Sequence, residues 1–293
     1  MITSAKPLGV LVLALAAASP ARAQDVSING SVYAQSGNRI TQTKSSFMDD
    51  GKINIGVVSD IEGALANAKM IAGKLGKQDL DALVIAGDNY REGSSRDDVQ
   101  QMVNGLMPFV QLGVPTFVIP GNRETQSVYA AAMKKLRVQH PNVFDIRRHQ
   151  VDLQGVNLVG MGGYHHPRFT TGGGFLLQAQ DYKRAREQLA EFQPQQEPTI
   201  FVTHGPPLAS TRIDYVAGTG HVGDKNIKAV MDSSLRNIIN VHGHIHEGGR
   251  GSDRYAAGPA YNVSAVTSTN NPKGPNGGLI TIVNGKASYG NIN

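Results

Sequence analysis

The chain is punctuated by short apolar runs, each stopping at a polar residue or a glycine: "INIGVVSD", "ALVIAGD", "PTFVIPGN", "VNLVGMGG", "TIFVTHGPP" and "NIINVHGH". Runs this short, rich in Val and Ile and bounded by Gly or Pro, fit strands buried on both faces. Segments of helical character separate several of them, at 64–75, 96–112, 126–138, 180–192 and 224–235. Strand and helix in alternation specify an α/β protein, because each helix must cover a sheet face. The tail breaks the rhythm. "AYNVSAVT" and "GGLITIVNGKASYG" are strand-like with only turn residues between them, so part of a sheet is expected to be antiparallel. No repeat or linker interrupts residues 52–293, which are expected to form one domain. Residues 24–51 are polar, rich in Ser, Gln and Asn, and are expected to form an arm or an irregular hairpin.

Residues 1–23 read as a secretory leader. Lys6 precedes an apolar run from Leu8 to Ala18, and Ala21 and Ala23 make an Ala-x-Ala cleavage site. The run is too short to span a bilayer. Cysteine is absent, so no lipid-anchoring Cys follows the leader and no disulfide supports the fold. The expectation is a periplasmic or secreted protein without a membrane anchor, held by its core. The formal charge of +5 falls to +3 once Lys6 and Arg22 are removed. With no basic patch or aromatic series, nucleic acid is not an expected partner.

Nearly every apolar run ends in a residue able to bind a metal: Asp60 and Glu62, then Asp88, Asn122, His204, and His244 with His246. In open α/β sheets, ligands bind beyond the carboxyl ends of the strands. Singly, each residue has a plainer reading. Asp60 can cap a helix, Asp88 and His204 can serve turns, and Asn122 can be a turn or N-cap residue. "HGHIH" is harder to assign to structure alone, since His244 and His246 share a face if extended. His242 has the same parity but ends the strand proper, so packing or support is its expected role.

The ordered blocks Asp-x-Glu, Gly-Asp, Gly-Asn-x-Glu, His-Gly-Pro-Pro and Gly-His-x-His, from Asp60 to Glu247, resemble the calcineurin-like metallophosphoesterase family. The resemblance implies an α-β-β-α sandwich of two mixed β-sheets flanked by helices. It implies a hydrolase with two divalent metal ions (Mn, Fe, Zn or Mg), acting on a small phosphorylated substrate. Asp60, Glu62, Asp88 and His246 would hold one ion; Asp88, Asn122, His204 and His244 would hold the other, with Asp88 shared. A shared hydroxide would attack phosphorus in line. Imidazoles and carboxylates suit such ions, and a shared carboxylate offsets the repulsion between two cations.

Two positions depart from the family pattern, which usually carries His at both 62 and 123. Glu62 adds a negative charge, which favours hard ions and a higher pH optimum. Arg123 cannot serve as a proton donor but can bind phosphate or steady developing charge. Gly-Asn-Arg-acid resembles a branch that cleaves the pyrophosphate of a lipid A precursor. The expected catalytic residues are therefore Asp88 and Arg123, with Asn122, Arg123 and His165 at the substrate. His165 or His166 of "GGYHHPR" would supply a replacement acid, Arg91 a phosphate contact, and the loop bearing Asp214 and His221 a cover. The alternative is a catalytically impaired protein that binds a metal or a phosphorylated ligand on the same fold.

Overall fold

In strand Lys52–Val58 every residue after Lys52 is buried, and side-chain parity sorts them between two cores. Ile53, Ile55 and Val57 face one interior, and Val58 faces another. Strand Ala82–Ala86 repeats the pattern, with Ala82, Val84 and Ala86 inward and Leu83 and Ile85 outward. Apolar residues at both parities are what a strand covered on both faces requires. The shared interior is completed from a second sheet by Leu158, Ile200, Val202, Ile239 and Val241. Helices Leu65–Leu75, Asp98–Val110 and Gln126–Gln139 cover the outer face of the first sheet through Ile71, Leu75, Met102, Phe109 and Leu136. Helices Ala179–Phe192 and Lys225–Met231 cover the second through Leu189, Phe192, Ile227 and Met231. The fold is an α-β-β-α sandwich of two mixed sheets. The computed structural model describes residues 24–45, 50–91, 98–267 and 269–292, and the leader expected over 1–23 lies outside them. Among the described residues no helix is long and apolar enough to cross a membrane.

The smaller sheet has six strands, and Lys52–Val58, Ala82–Ala86, Thr116–Ile119 and Val143–Asp145 run parallel within it. The tail hairpin Gly277–Val283 and Lys286–Ile292 adds antiparallel to Lys52–Val58. The larger sheet has nine strands. At its centre Asn157–Met161, Thr199–Thr203, Ile238–His242 and Pro259–Asn262 are parallel. Pro259–Asn262, within the tail, thus pairs parallel with Ile238–His242 on one side and antiparallel with Ser252–Arg254 on the other, and the last two strands of the tail are antiparallel.

Helix ends fall close to their expected positions, with one difference. The segment read as helical over 224–235 ends at Met231, and Asp232 and Ser233 close it by backbone bonds to Lys228 and Val230. The segment expected to be an arm or an irregular hairpin over 24–51 is built of hairpins across its described part. Gln24–Ile28, Ser31–Ser36 and Arg39–Lys44 form a meander that joins the larger sheet through Gln150–Asp152. Its polarity hid this. The inward positions include Gln42, which is buried only because its amide donates to the Tyr33 hydroxyl at 3.2 Å.

Asp81, just before Ala82–Ala86, accepts the Asn54 N–H at 2.7 Å. Burial pushes its carboxyl up from 3.8 to about 6, against that hydrogen bond, and Asp50 and Asp79 add repulsion. A carboxyl raised on folding favours the protonated fold, so its contribution is intact below about pH 4 and is lost as pH rises through about 6. Asp81→Asn, which keeps an acceptor, should therefore be more stable than wild type at pH 7 by ~1 kcal/mol, a value discounted for solvent screening. Urea melts would show the difference growing from near zero at pH 4. A constant difference across that range would be the wrong result for this account.

Candidate metal centre

The carboxyl ends of strands from both sheets meet at one end of the sandwich. Two backbone bonds zip the first two loops together: Asp60 N–H donates to Gly87 O at 3.0 Å and Glu62 N–H to Asp88 O at 3.1 Å. Asp60, Glu62, Asp88 and His244 all have positive φ, between 44° and 68°. Such angles cost non-glycine residues roughly 1–3 kcal/mol each and persist where the surroundings enforce them. Two glycines let the loops close. A Cβ on Gly121 would overlap the Asp88 carboxylate, and one on Gly243 would overlap Ser59 and the Asp60 carboxylate.

One ligand atom from each of Asp88, His204 and His244 lies within 4.8 Å of the others. His204 shows why a cation fits there. Its Nδ1 stands 2.9 Å from the Ala86 carbonyl, which can only accept, so Nδ1 carries the proton. Nε2 then faces Asn122 Oδ1 at 2.8 Å and Asp88 Oδ2 at 3.4 Å. The Asn122 amide is oriented by its Nδ2, which donates to Phe169 O at 2.6 Å. Three acceptors converge, and only something electropositive, a proton or a metal ion, can lie between them.

His246 repeats the arrangement. Nδ1 lies 2.6 Å from the Thr269 carbonyl. Nε2 faces Asp60 Oδ1 at 3.4 Å and Glu62 Oε1 at 3.9 Å. Asp60 accepts the His244 N–H at 3.1 Å and the Ser264 hydroxyl at 2.8 Å. Electrostatics follow from this crowding. Burial alone would raise the Asp60 and Asp88 carboxyls, but His246 and His204 respectively outweigh it and hold both below the usual range. Burial and the neighbouring Asp88 and Asp60 push Glu62 up. Burial, then the charge of His204, pull His244 down to about 3. His244 is thus a neutral imidazole, the form that binds metal.

The structure separates the plainer readings from the chemical ones. Asp60 caps no helix, since Leu65–Leu75 begins at Ala64 without a side-chain cap. Asn122 is not the N-cap of Gln126–Gln139; Thr125 is, accepting from Val128 N. Glu62 is turned inward, with its side chain 6% exposed. His242 is fully buried, and burial lowers it to about 4, as expected of a packing residue. Arg123 cannot form a surface pair with Glu124, which is fully buried. Its Nε lies 4.0 Å from Glu62 Oε1 and 3.8 Å from Asp88 Oδ2.

His165 Nδ1 lies 3.9 Å from Asp224 Oδ2, and Tyr164, its neighbour in the chain, stands ring to ring with His244 at 4.0 Å. The same loop reaches the cluster through its backbone, by the Phe169 carbonyl that orients Asn122. His166 caps the turn Pro167–Phe169. Arg91 is exposed, with its N–H on Gln101. Buried Asp214 holds His221 Nδ1 at 2.6 Å and the backbone of Ala209 and Gly223. That pair secures the small hairpin Tyr215–Val216 and Gly220–His221.

Glu124 was not among the expected site residues. Fully buried, it accepts from Asn89 N, from Asn89 Nδ2 at 2.8 Å and from Gly121 N at 2.8 Å. Burial, and then Asp88, raise it to about 8. It ties the loop bearing Asp88 to the loop bearing Asn122 and Arg123. The acid of Gly-Asn-x-Glu was the one signal for it.

Comparison with known proteins agrees with this geometry. The fold is similar to a dimetal phosphatase from Danio rerio (TM-score 0.57, 11% identity), covering 82% of this chain and 98% of that one. It is similar also to the TT1561 protein of Thermus thermophilus (TM-score 0.56, 15% identity), covering 82% and 99%. No curated protein matches by sequence. The family model for calcineurin-like phosphoesterases matches residues 53–248, the span that carries every residue of the cluster. The chain belongs to the calcineurin-like phosphoesterase family, whose members are metal-dependent phosphoesterases.

Proposed function

We propose that this protein is an exported phosphoesterase that hydrolyses a phosphate ester or phosphoanhydride at a centre of two divalent ions. The observation that carries the reading is the pair of converging acceptor sets, one around His204 Nε2 and one around His246 Nε2. Asp60, Glu62, Asp88 and His246 would hold one ion, and Asp88, Asn122, His204 and His244 the other. Two such ions supply Lewis-acid polarisation of a phosphoryl oxygen and a water acidic enough to attack at neutral pH. Export rests on the leader read over 1–23.

The protein's own groups account for orientation. Asp88 is placed by the Arg123 N–H, which donates to Oδ1 at 2.9 Å, leaving Oδ2 toward His204. The Ala86 and Thr269 carbonyls fix both imidazole tautomers with Nε2 toward the centre. Arg123, 45% exposed at the rim, is placed to bind a phosphate oxygen. It remains charged and gives up no proton. The favoured substrates are then those whose leaving group is already a stable anion, a phosphoanhydride or an activated ester.

The test is hydrolysis of a series of aryl phosphates by protein loaded with Mn²⁺. The log rate is expected to fall steeply as leaving-group pKa rises. A flat dependence would remove the leaving-group argument. Metal bound without turnover on mono-, di- and pyrophosphate substrates would favour the binding-protein reading instead.

A further inference from the structure

Arg123 stands over two carboxylates that come from different loops. Its Nε is 4.0 Å from Glu62 Oε1 and 3.8 Å from Asp88 Oδ2, while its main-chain N–H holds Asp88 Oδ1 at 2.9 Å. The side chains of Glu62 and Asp88 are 6% and 3% exposed, whereas that of Arg123 is 45% exposed. The guanidinium therefore forms the solvent edge of an acidic centre, with its inner side set against carboxylates. Asp88 also faces His204. Glu62 also faces His246, but Oε1 lies equally close to Arg123, at 3.9 and 4.0 Å.

A flexible Arg side chain loses rotamer entropy when it is held in one place, so a guanidinium already anchored binds phosphate at lower cost. A buried carboxylate beside it supplies the anchor. Opposite charges about 4 Å apart attract more strongly in a partly desolvated site than in water. Glu62 and Arg123 carry opposite formal charges, so the pair adds no net charge to the centre.

We propose that Glu62 is the positioning residue for Arg123, and that the two act as one unit to bind the terminal phosphate of the substrate. This deepens the reading of the centre as a phosphoesterase site and rests on it for the identity of the bound group. Glu62 fixes where the guanidinium stands, and Arg123 contacts the phosphate. Removing either member then costs the same thing.

The experiment is a double-mutant cycle with Glu62→Gln and Arg123→Gln, read by two measurements on metal-loaded protein. The first is the affinity for inorganic phosphate by calorimetry, which requires no turnover. Each single variant should bind phosphate roughly tenfold more weakly, the value of one charge-assisted contact, and the double variant should also lose about tenfold. The second is the split of KM against kcat on an aryl phosphate, where KM should carry most of each loss. Metal content and melting temperature, measured on all four proteins, separate this from a general loss of the site. Losses that multiply to about a hundredfold in the double variant would overturn the proposal. So would a Glu62→Gln that lowers metal content and kcat with phosphate affinity unchanged, or wild-type protein that binds no phosphate. Coupled phosphate binding without hydrolysis would leave this pairing in place and refute the enzymatic reading alone.

Discussion

Asp88→Asn is expected to lower phosphoester hydrolysis by roughly 10³-fold or more and to reduce bound metal. Groups that merely support a ligand already cost 10–100-fold when removed, and Asp88 is the carboxylate that the proposed centre would share between its two ions. One oxygen stands 3.4 Å from His204 Nε2 and 3.8 Å from Arg123 Nε; the other accepts the Arg123 N–H. Asparagine keeps the volume but replaces an acceptor by a donor. Its NH₂ must then meet either the Arg123 N–H or a centre already rich in cationic demand. The fold should survive, because Gly87 and Asp88 hold the neighbouring loop through backbone carbonyls that the substitution leaves in place. Metal analysis of protein purified without chelators, beside the rate on an aryl phosphate, is the measurement. Wild-type metal content together with wild-type rate would show that the centre lies elsewhere.

The second large effect is expected at a residue that contacts no proposed ligand atom. Glu124→Ala should destabilise the fold by about 3 kcal/mol or more, since each of three buried donors left without an acceptor costs roughly 1–3 kcal/mol and water recovers part. For a chain of this size that is a fall in melting temperature of roughly 5–10 °C. The donors are Asn89 N, Asn89 Nδ2 and Gly121 N. They belong to the two loops that carry Asp88 and Asn122, so hydrolysis should fall with stability even well below the new melting point. Glu124→Gln gives a graded control. Its oxygen can still serve Asn89, but its NH₂ then opposes the Gly121 N–H, so an intermediate loss is expected. A Glu124→Ala protein melting with wild type would sink this assignment.

Much of the candidate site was legible because its ligands follow buried strands directly. The apolar run "INIGVV" and the chemistry of Asp60 are separated by a single residue, and Asp88, Asn122, His204 and His244 likewise stand just beyond the ends of their strands. Glu124 was not legible as a buried residue. Nothing local distinguishes an exposed acid on a helix-entry loop from one buried against its own loop at Gly121 and against the distant Asn89. The direction of His165 was not legible either: a histidine in a Gly-rich loop after a strand carries no sign of which way it turns. Asp224 and the intervening ring of Tyr164 decided that. That the hairpins over Gln24–Lys44 join the larger sheet was not legible, because a polar inward residue, Gln42, breaks the alternation of apolar positions that marks a half-buried strand.

The sequence by itself determined the α/β alternation, the buried strands and the kind of atom presented at each strand end. These follow from side-chain parity and from residue type, and both are local. The tertiary structure alone decided which of those atoms converge, which histidine nitrogen keeps its proton, and that Glu62 meets Arg123. The physical reason is that a buried polar atom takes its orientation from whatever distant partner replaces its water. The Ala86 and Thr269 carbonyls, far along the chain from His204 and His246 or separated from them by a loop, make that choice at this centre.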